Sequence, residues 1–485
     1  MKFRIANTTD GLRLFVVFLA SIFVVYFFPR FGIPQILVKL VFLALLLLVT
    51  ASKDDVFWLS WFFLIANPPG RLFGTSSGSS VFRLPLYSIA PGASFSFEEL
   101  FLLLYILKYF GFSRKAGDFA RYFNFIMMYG AVVFAYSWFL GMSMPGVIYA
   151  VRIYLPWFWL LIYPAYIKDQ GSLLRTFRML SPYVFVAFLL TIQAQITGEY
   201  LHSMLSGELS TRFLGDAEEK LIRATHAMHL SFIALFLSVY YLSVKEKLLS
   251  QTYLQLVAVV STLFIFLTAT RGWIVAGIIL LSSFLFMGGR SFFRQITRAA
   301  VMIGIVFFLT ASFYPILYFQ ATESLSRFMT LEALAEGDLT AEGTLGRLTD
   351  RGPVVMEVFK RSPIIGWGFS SVFMNFADVH VGNQTMLMQG GVLGFSIWMI
   401  VMLGIALSFW QLHKIYQRHK YGSAALVCLM ALTATFAIHS SSMQMLGFLH
   451  TRPATHIHLA FILIAAQALN RRLIQNDLNF KSIHR

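Results

Sequence analysis

Apolar runs of about twenty residues recur from one end of the chain to the other, and that pattern leaves few folds open. They fall near 13–29, 35–50, 56–67, 99–112, 122–140, 147–167, 180–197, 227–244, 252–270, 272–288, 299–318, 387–410, 424–443 and 455–470. A water-surrounded core cannot hide so much apolar surface. Of the 485 residues, 58% are hydrophobic and only 12% charged, against about half and about a quarter in a soluble domain. The solvent must then be lipid, where the backbone satisfies itself as helices or as a closed barrel. Barrel strands would alternate and be about half as long as these runs. The expected fold is therefore an all-α integral membrane protein, a bundle of about fourteen transmembrane helices (about twelve to fourteen), with a large, partly helical extracytoplasmic loop. No A-x-A-like cleavage site follows the first run, which reads as a retained span. The single cysteine, Cys428, lies in an apolar run and excludes an intrachain disulfide.

Lys and Arg in the short connections set the expected orientation. One alternating set holds Lys2, Arg4 and Arg13; Lys53; Arg114, Lys115 and Arg121; and Lys168, Arg175 and Arg178. It continues with Lys245 and Lys247; Arg290, Arg294 and Arg298; Lys414, Arg418 and Lys420; and Arg471, Arg472, Lys481 and Arg485. The short connections of the other set, 141–146 and 443–454, carry almost no charge. The basic set is expected in the cytoplasm, with both chain ends. The net charge of +16 then reflects topology and contact with anionic lipid headgroups, not nucleic-acid binding.

Three long connections are expected outside: 68–98, 198–226 and 319–386. The first, rich in Gly, Ser and Pro, reads as an irregular cover. The others carry Arg212, Arg223, Arg327, Arg347, Arg351, Lys360 and Arg361, with His380 and Asn383. Arg271 sits between two apolar runs that no bilayer could accommodate as one helix, so the chain must turn there. An arginine in such a place either snorkels to the interface, caps the preceding helix, or serves function. Guanidinium groups are always charged and offer a planar fork suited to phosphate oxygens. His226 and His229 have helix-face spacing but are too few for a metal site. His439 with Ser440, Ser441 and Ser442 reads as interhelical hydrogen bonding. No carboxylate cluster suggests a bound metal.

Four pieces follow one another: Gly343-Thr344-Leu345-Gly346-Arg347, Ser362-Pro363-Ile364-Ile365-Gly366-Trp367-Gly368-Phe369, His380-Val381-Gly382-Asn383-Gln384, and Gly390-Gly391-Val392-Leu393-Gly394. With Thr270-Arg271-Gly272 before them, they resemble the O-antigen ligase and polymerase superfamily of bacterial envelope glycosyltransferases, over roughly residues 220–410. Two departures from that pattern stand out. Arg351 occupies the place of an aromatic residue, and Val381 and Gly382 separate a His-Asn pair that is usually adjacent. Whether His380 or Asn383 fills the family's histidine role is open on sequence.

The resemblance implies transfer of a glycan from an undecaprenyl-diphosphate donor, without metal or cofactor, at the outer face of a bacterial inner membrane. Arg271, Arg347 and Arg223 would stabilise the departing diphosphate, with Arg351 a further binding candidate. His380 would take the proton of the acceptor hydroxyl and Asn383 would position a sugar hydroxyl. Residues 1–200 would be N-terminal membrane helices, 201–410 the catalytic region including loop 319–386, and 411–485 the C-terminal helices and cytoplasmic tail. Polymerisation of a surface or exported polysaccharide is the first expectation. Ligation of glycan to lipid A-core is the second, and a polysaccharide transporter or flippase the alternative of another class. Membrane lipids, and a separate flippase and chain-length regulator, are the implied partners.

Overall fold

The computed structural model describes residues 8–67, 69, 85–90, 93–111, 117–197, 200–201, 227–244, 248–268, 270–287, 297, 301, 304–305, 312, 314–335, 350–378, 380–416, 421–441, 445–446 and 453–483. The chain forms α1 (Thr8–Arg30), α2 (Gln35–Ala51) and α3 (Asp55–Ala66), a hairpin of β1 (Pro85–Ala90) and β2 (Ala93–Ser96), then α4 (Phe97–Gly111), α5 (Ala120–Phe139) and α6 (Met144–Tyr154). A 3-10 turn, Leu155–Phe158, leads into α7 (Trp159–Tyr166), α8 (Gln170–Leu180) and α9 (Pro182–Thr197). There follow α10 (Met228–Ser243), α11 (Gln251–Leu267), α12 (Arg271–Met287), α13 (Pro315–Ala335), α14 (Gly352–Lys360), α15 (Ser371–Phe376), α16 (Gly382–Tyr416), α17 (Gly422–Ser441) and α18 (Pro453–Ile483).

Six helices among the described residues are long and apolar enough to cross a bilayer: Thr9–Phe28, Ala120–Phe139, Met144–Tyr166, Gln170–Thr197, Gly382–Tyr416 and Gly422–Ser440. This is a helical membrane protein. The count is smaller than the about fourteen expected from the runs, because several runs form helices shorter than the about twenty residues a crossing takes. Ile36–Ala51, Asp55–Ala66, Met228–Ser243, Gln251–Leu267 and Arg271–Phe284 are of this kind. The run at 299–318 lies mostly outside the described residues. The cover expected to be irregular over 68–98 contains the β1–β2 hairpin, paired Tyr87 to Phe95 and Ser88 to Ser94. Ser96 and Glu99 then start α4 as a reciprocal cap, the Ser96 N–H donating to Glu99 Oε2 at 2.7 Å and the Glu99 N–H to Ser96 Oγ at 3.3 Å.

Burial separates inner from outer helices. In α10 and α18 nearly every side chain from Met228 to Tyr241 and from Ile457 to Leu469 is buried, as in helices that are apolar all round. Large apolar side chains such as Phe15, Leu47, Leu107 and Phe139 lie exposed on α1, α2, α4 and α5. So wide an apolar surface demands a nonaqueous surround.

One end of the bundle gathers charged pairs from the basic connections. The Arg175 guanidinium spans two carboxylates, with Nε 2.8 Å and Nη2 3.0 Å from Asp10, and Nη1 2.7 Å and Nη2 2.8 Å from Asp54. Arg13 adds a contact to Asp54 at 3.2 Å, and Lys108 pairs with the buried Asp55. Arg471 reaches both Asp118 at 3.4 Å and the Lys168 carbonyl at 3.3 Å. Of the basic set expected on one side, Arg13 and Arg175 thus share Asp54, and Arg471 meets Lys168.

Burial raises the Asp54 pKa, but Arg175, the Phe57 N–H and Arg13 outweigh it and hold the carboxyl below its ordinary 3.8. A depressed carboxylate contributes stability above its unfolded-state pKa and loses it as pH falls through the folded value. In detergent, the unfolding midpoint should fall on acidification below about pH 4, and Arg175→Met should flatten that dependence as well as lower the midpoint.

Candidate active site where helix ends converge

Hydrogen bonds place a set of helix ends at the opposite end of the bundle. The Asn67 side chain, just after α3, accepts the Leu230 N–H of α10 at 2.7 Å. Gln320 of α13 donates to the Leu267 carbonyl at the close of α11, 2.8 Å away. Asn383 at the start of α16 donates to Ser440 Oγ at the close of α17, 3.2 Å away. Trp273 in the first turn of α12 packs edge-on against His229 of α10, with ring centroids 5.1 Å apart.

The chain does turn before α12, and Arg271 is its first residue. Thr268 and Thr270 tie the turn to backbone carbonyls, and the Trp273 and Ile274 N–H groups close onto the Thr270 carbonyl at 3.0 and 3.1 Å. A half-buried arginine therefore stands at a helix N-terminus, where the helix dipole also favours an anion.

Gly352 and Pro353 open α14, with Arg351 as the residue just before it. Proline suits that first turn because its missing N–H would have no helical partner there. Arg351 Nη1 lies 3.3 Å from Asp378 Oδ2. Asp378 Oδ1 in turn accepts the His380 N–H at 2.8 Å, and Thr385 Oγ1 donates to the Asp378 carbonyl at 2.7 Å. Arg351, the His380 backbone and Thr385 are thus assembled around Asp378, an acid that belongs to none of the sequence motifs, while Asn383 bonds to Ser440 instead. Its position two residues before His380 is the spacing of an Asx turn and was the available signal. The Arg351 charge is partly engaged by this carboxylate. Arg347 and Arg223 lie outside the described residues.

The two glycine motifs have a structural job, which is to lock onto each other. The Trp367 and Gly368 N–H groups donate to the Met388 and Gln389 carbonyls at 2.9 and 2.8 Å, and the Val392 and Leu393 N–H groups donate back to Pro363 and Ile364 at 2.8 and 3.0 Å. Gly391 breaks α16 with φ 64° and ψ −170°, a conformation essentially confined to glycine. A Cβ there would lie 2.2 Å from the Ile364 carbonyl oxygen, and one on Gly366 2.3 Å from that of Gln389. The lock fastens the 363–368 turn onto α16 at its break, while the start of α16 meets the end of α17 through Asn383 and Ser440.

Behind Asn383, His439 of α17 is 1% exposed, and its Nδ1 accepts the Met445 and Leu446 N–H groups at 3.1 and 3.2 Å. Ser440 makes the interhelical hydrogen bond read from sequence, to Asn383, whereas the His439 ring bonds close onto the connection after its own helix. Among the described residues, no group of three or more His, Cys, Asp or Glu side chains is placed to hold a metal. No protein-family model matches the chain, and no curated protein matches it.

Proposed function

We propose that the protein is a glycosyltransferase acting on a glycan carried by undecaprenyl diphosphate, with its site at the end where α10, α12, α16, α17 and α18 meet. The observation that carries this reading is Arg271, a guanidinium at a helix N-terminus. It gives one place two independent attractions for a diphosphate. The sequence resemblance to the ligase and polymerase superfamily supplies the donor class. That end faces away from the cytoplasm in this reading, and the Asp10–Asp54–Arg175 end faces the cytoplasm with both chain termini, in a bacterial inner membrane. Fourteen or nearly fourteen segments enter the bilayer, the short ones without spanning it alone.

Departure of a lipid diphosphate builds negative charge, which Arg271 and, from the undescribed stretches, Arg347 and Arg223 stabilise. Asn383 orients the acceptor sugar, and a histidine at this end takes the proton of the attacking hydroxyl; His380 is the one expected from sequence. Polymerisation is the first form of the activity and ligation to lipid A-core the second. The test is incubation of purified protein, without added metal, with an undecaprenyl-diphosphate oligosaccharide. A ladder of longer lipid-linked glycans with release of undecaprenyl diphosphate marks a polymerase. Transfer only after addition of lipid A-core marks a ligase. Absence of turnover with either acceptor overturns the reading and favours a transporter.

A further inference from the structure

Two histidines that are far apart in the chain meet in the interior, against Trp273 in the first turn of α12. His229 of α10 and His458 of α18 bring their Nδ1 atoms to 3.3 Å, and they are 5% and 0% exposed. Phe232 stacks on the His458 ring at 4.6 Å, and Trp273, two residues after Arg271, lies 5.1 Å from His229 and 6.1 Å from His458. His458 Nε2 lies 3.0 Å from Thr435 Oγ1 of α17, and that hydroxyl also donates to the Ala431 carbonyl at 2.9 Å.

These contacts order the protons. With its single hydrogen on Ala431, Thr435 accepts from the His458 Nε2–H. The Nδ1 of neutral His458 then carries a lone pair, so the His229 Nδ1–H donates to it. The lone pair of His229 is then on Nε2, which is the basic nitrogen. One further proton fits on the pair, at His229 Nε2, and the proton already between the Nδ1 atoms is then shared by the two rings. A second would set two N–H groups face to face at 3.3 Å. A base held by a partner, itself held by a third group, is the arrangement that general-base catalysis uses.

We propose that His229, oriented by His458 and Thr435, and not His380, is the proton acceptor of the transfer reaction; this rests on the glycosyltransferase reading above. As the acceptor hydroxyl oxygen bonds to the anomeric carbon, its proton passes to His229 Nε2. The bond from that carbon to the diphosphate oxygen breaks, and its electron pair leaves with undecaprenyl diphosphate. His458 is a positioning residue that shares the charge gained by His229. Arg271, His439 and His456 are other charged or titratable described side chains at this end of the elements packed on the pair, and Arg351, Asp378 and His380 lie before the start of α16.

The test uses the full-length protein in lipid with an undecaprenyl-diphosphate oligosaccharide. His229→Gln should lower kcat by about 10²-fold or more. His458→Gln should lower kcat less, leave KM unchanged, and move the acidic limb of the kcat–pH profile to lower pH, because the shared proton loses its second site. An unmoved limb overturns the positioning role. On the unmutated protein, ¹⁵N ring shifts should report Nδ1–H at His229 and Nε2–H at His458, a measurement that needs no variant to fold. An Nε2–H tautomer at His229 overturns the assignment. If the wild type transfers glycan and His229→Gln does so equally well while His380→Ala does not, the base is His380 and this inference alone fails. If the wild type turns over no lipid-linked glycan, the glycosyltransferase reading fails and the base role goes with it.

Discussion

Arg271→Ala should reduce the proposed glycan transfer by about 10²–10³-fold, the usual cost of removing one preorganised donor to a developing anion, while the protein still inserts and purifies normally. The side chain begins α12 and is half-buried, so its loss leaves the helix backbone and the Thr268–Thr270 turn in place. Arg271→Lys separates two explanations. A lysine restores the charge without the planar fork, so a bidentate phosphate contact predicts little recovery and bulk attraction predicts much. The measurement is initial rate against donor concentration in the purified system. Wild-type rates for Arg271→Ala would leave the diphosphate without its principal ligand.

Gly391→Ala should lower stability by about 2–5 kcal/mol, from a backbone conformation that only glycine adopts freely and a carbonyl that the new methyl would strike. The 2.2 Å approach to the Ile364 oxygen involves backbone on both sides, so a side chain cannot swing away to relieve it. Gly277→Ala in α12 is the control. Its Cβ would meet only Ile265 at 3.7 Å, an ordinary contact. Thermal unfolding in detergent, followed by size exclusion, should show a clear drop for the first and little change for the second. Equal midpoints would mean that the lock between the glycine motifs contributes nothing to folding.

Much of the helical framework is written in the composition of short segments. The apolar runs locate most of the helices, Arg271 marks a real turn, and Gly352-Pro353 opens a helix where proline belongs. Local signals of this sort work because burial in lipid and backbone restriction act on neighbouring residues. Crossing number does not follow so readily, since a run of apolar residues forms a helix whether or not that helix is long enough to span. The assembled groups were hidden for a different reason. Arg351 and His380 meet at Asp378 through a fold in the chain, and Gly366 and Gly391 interlock across two turns. His229 looks from its surroundings like half of a pair with His226, but its ring partner is His458, 229 residues later. Spacing along one helix carries no trace of such a partner.

The Asp10–Asp54–Arg175 knot has a consequence for how the protein is made. The cation follows Asp54 by 121 residues and Asp10 by 165. At roughly 5–20 residues per second, a ribosome delivers Arg175 about 6–24 s after Asp54. Until then Asp54 has the contact from Arg13, but neither carboxylate has the guanidinium that later joins them. The first third of the chain must therefore wait, hydrated or chaperoned at its acidic end, and α8 is the piece that closes it.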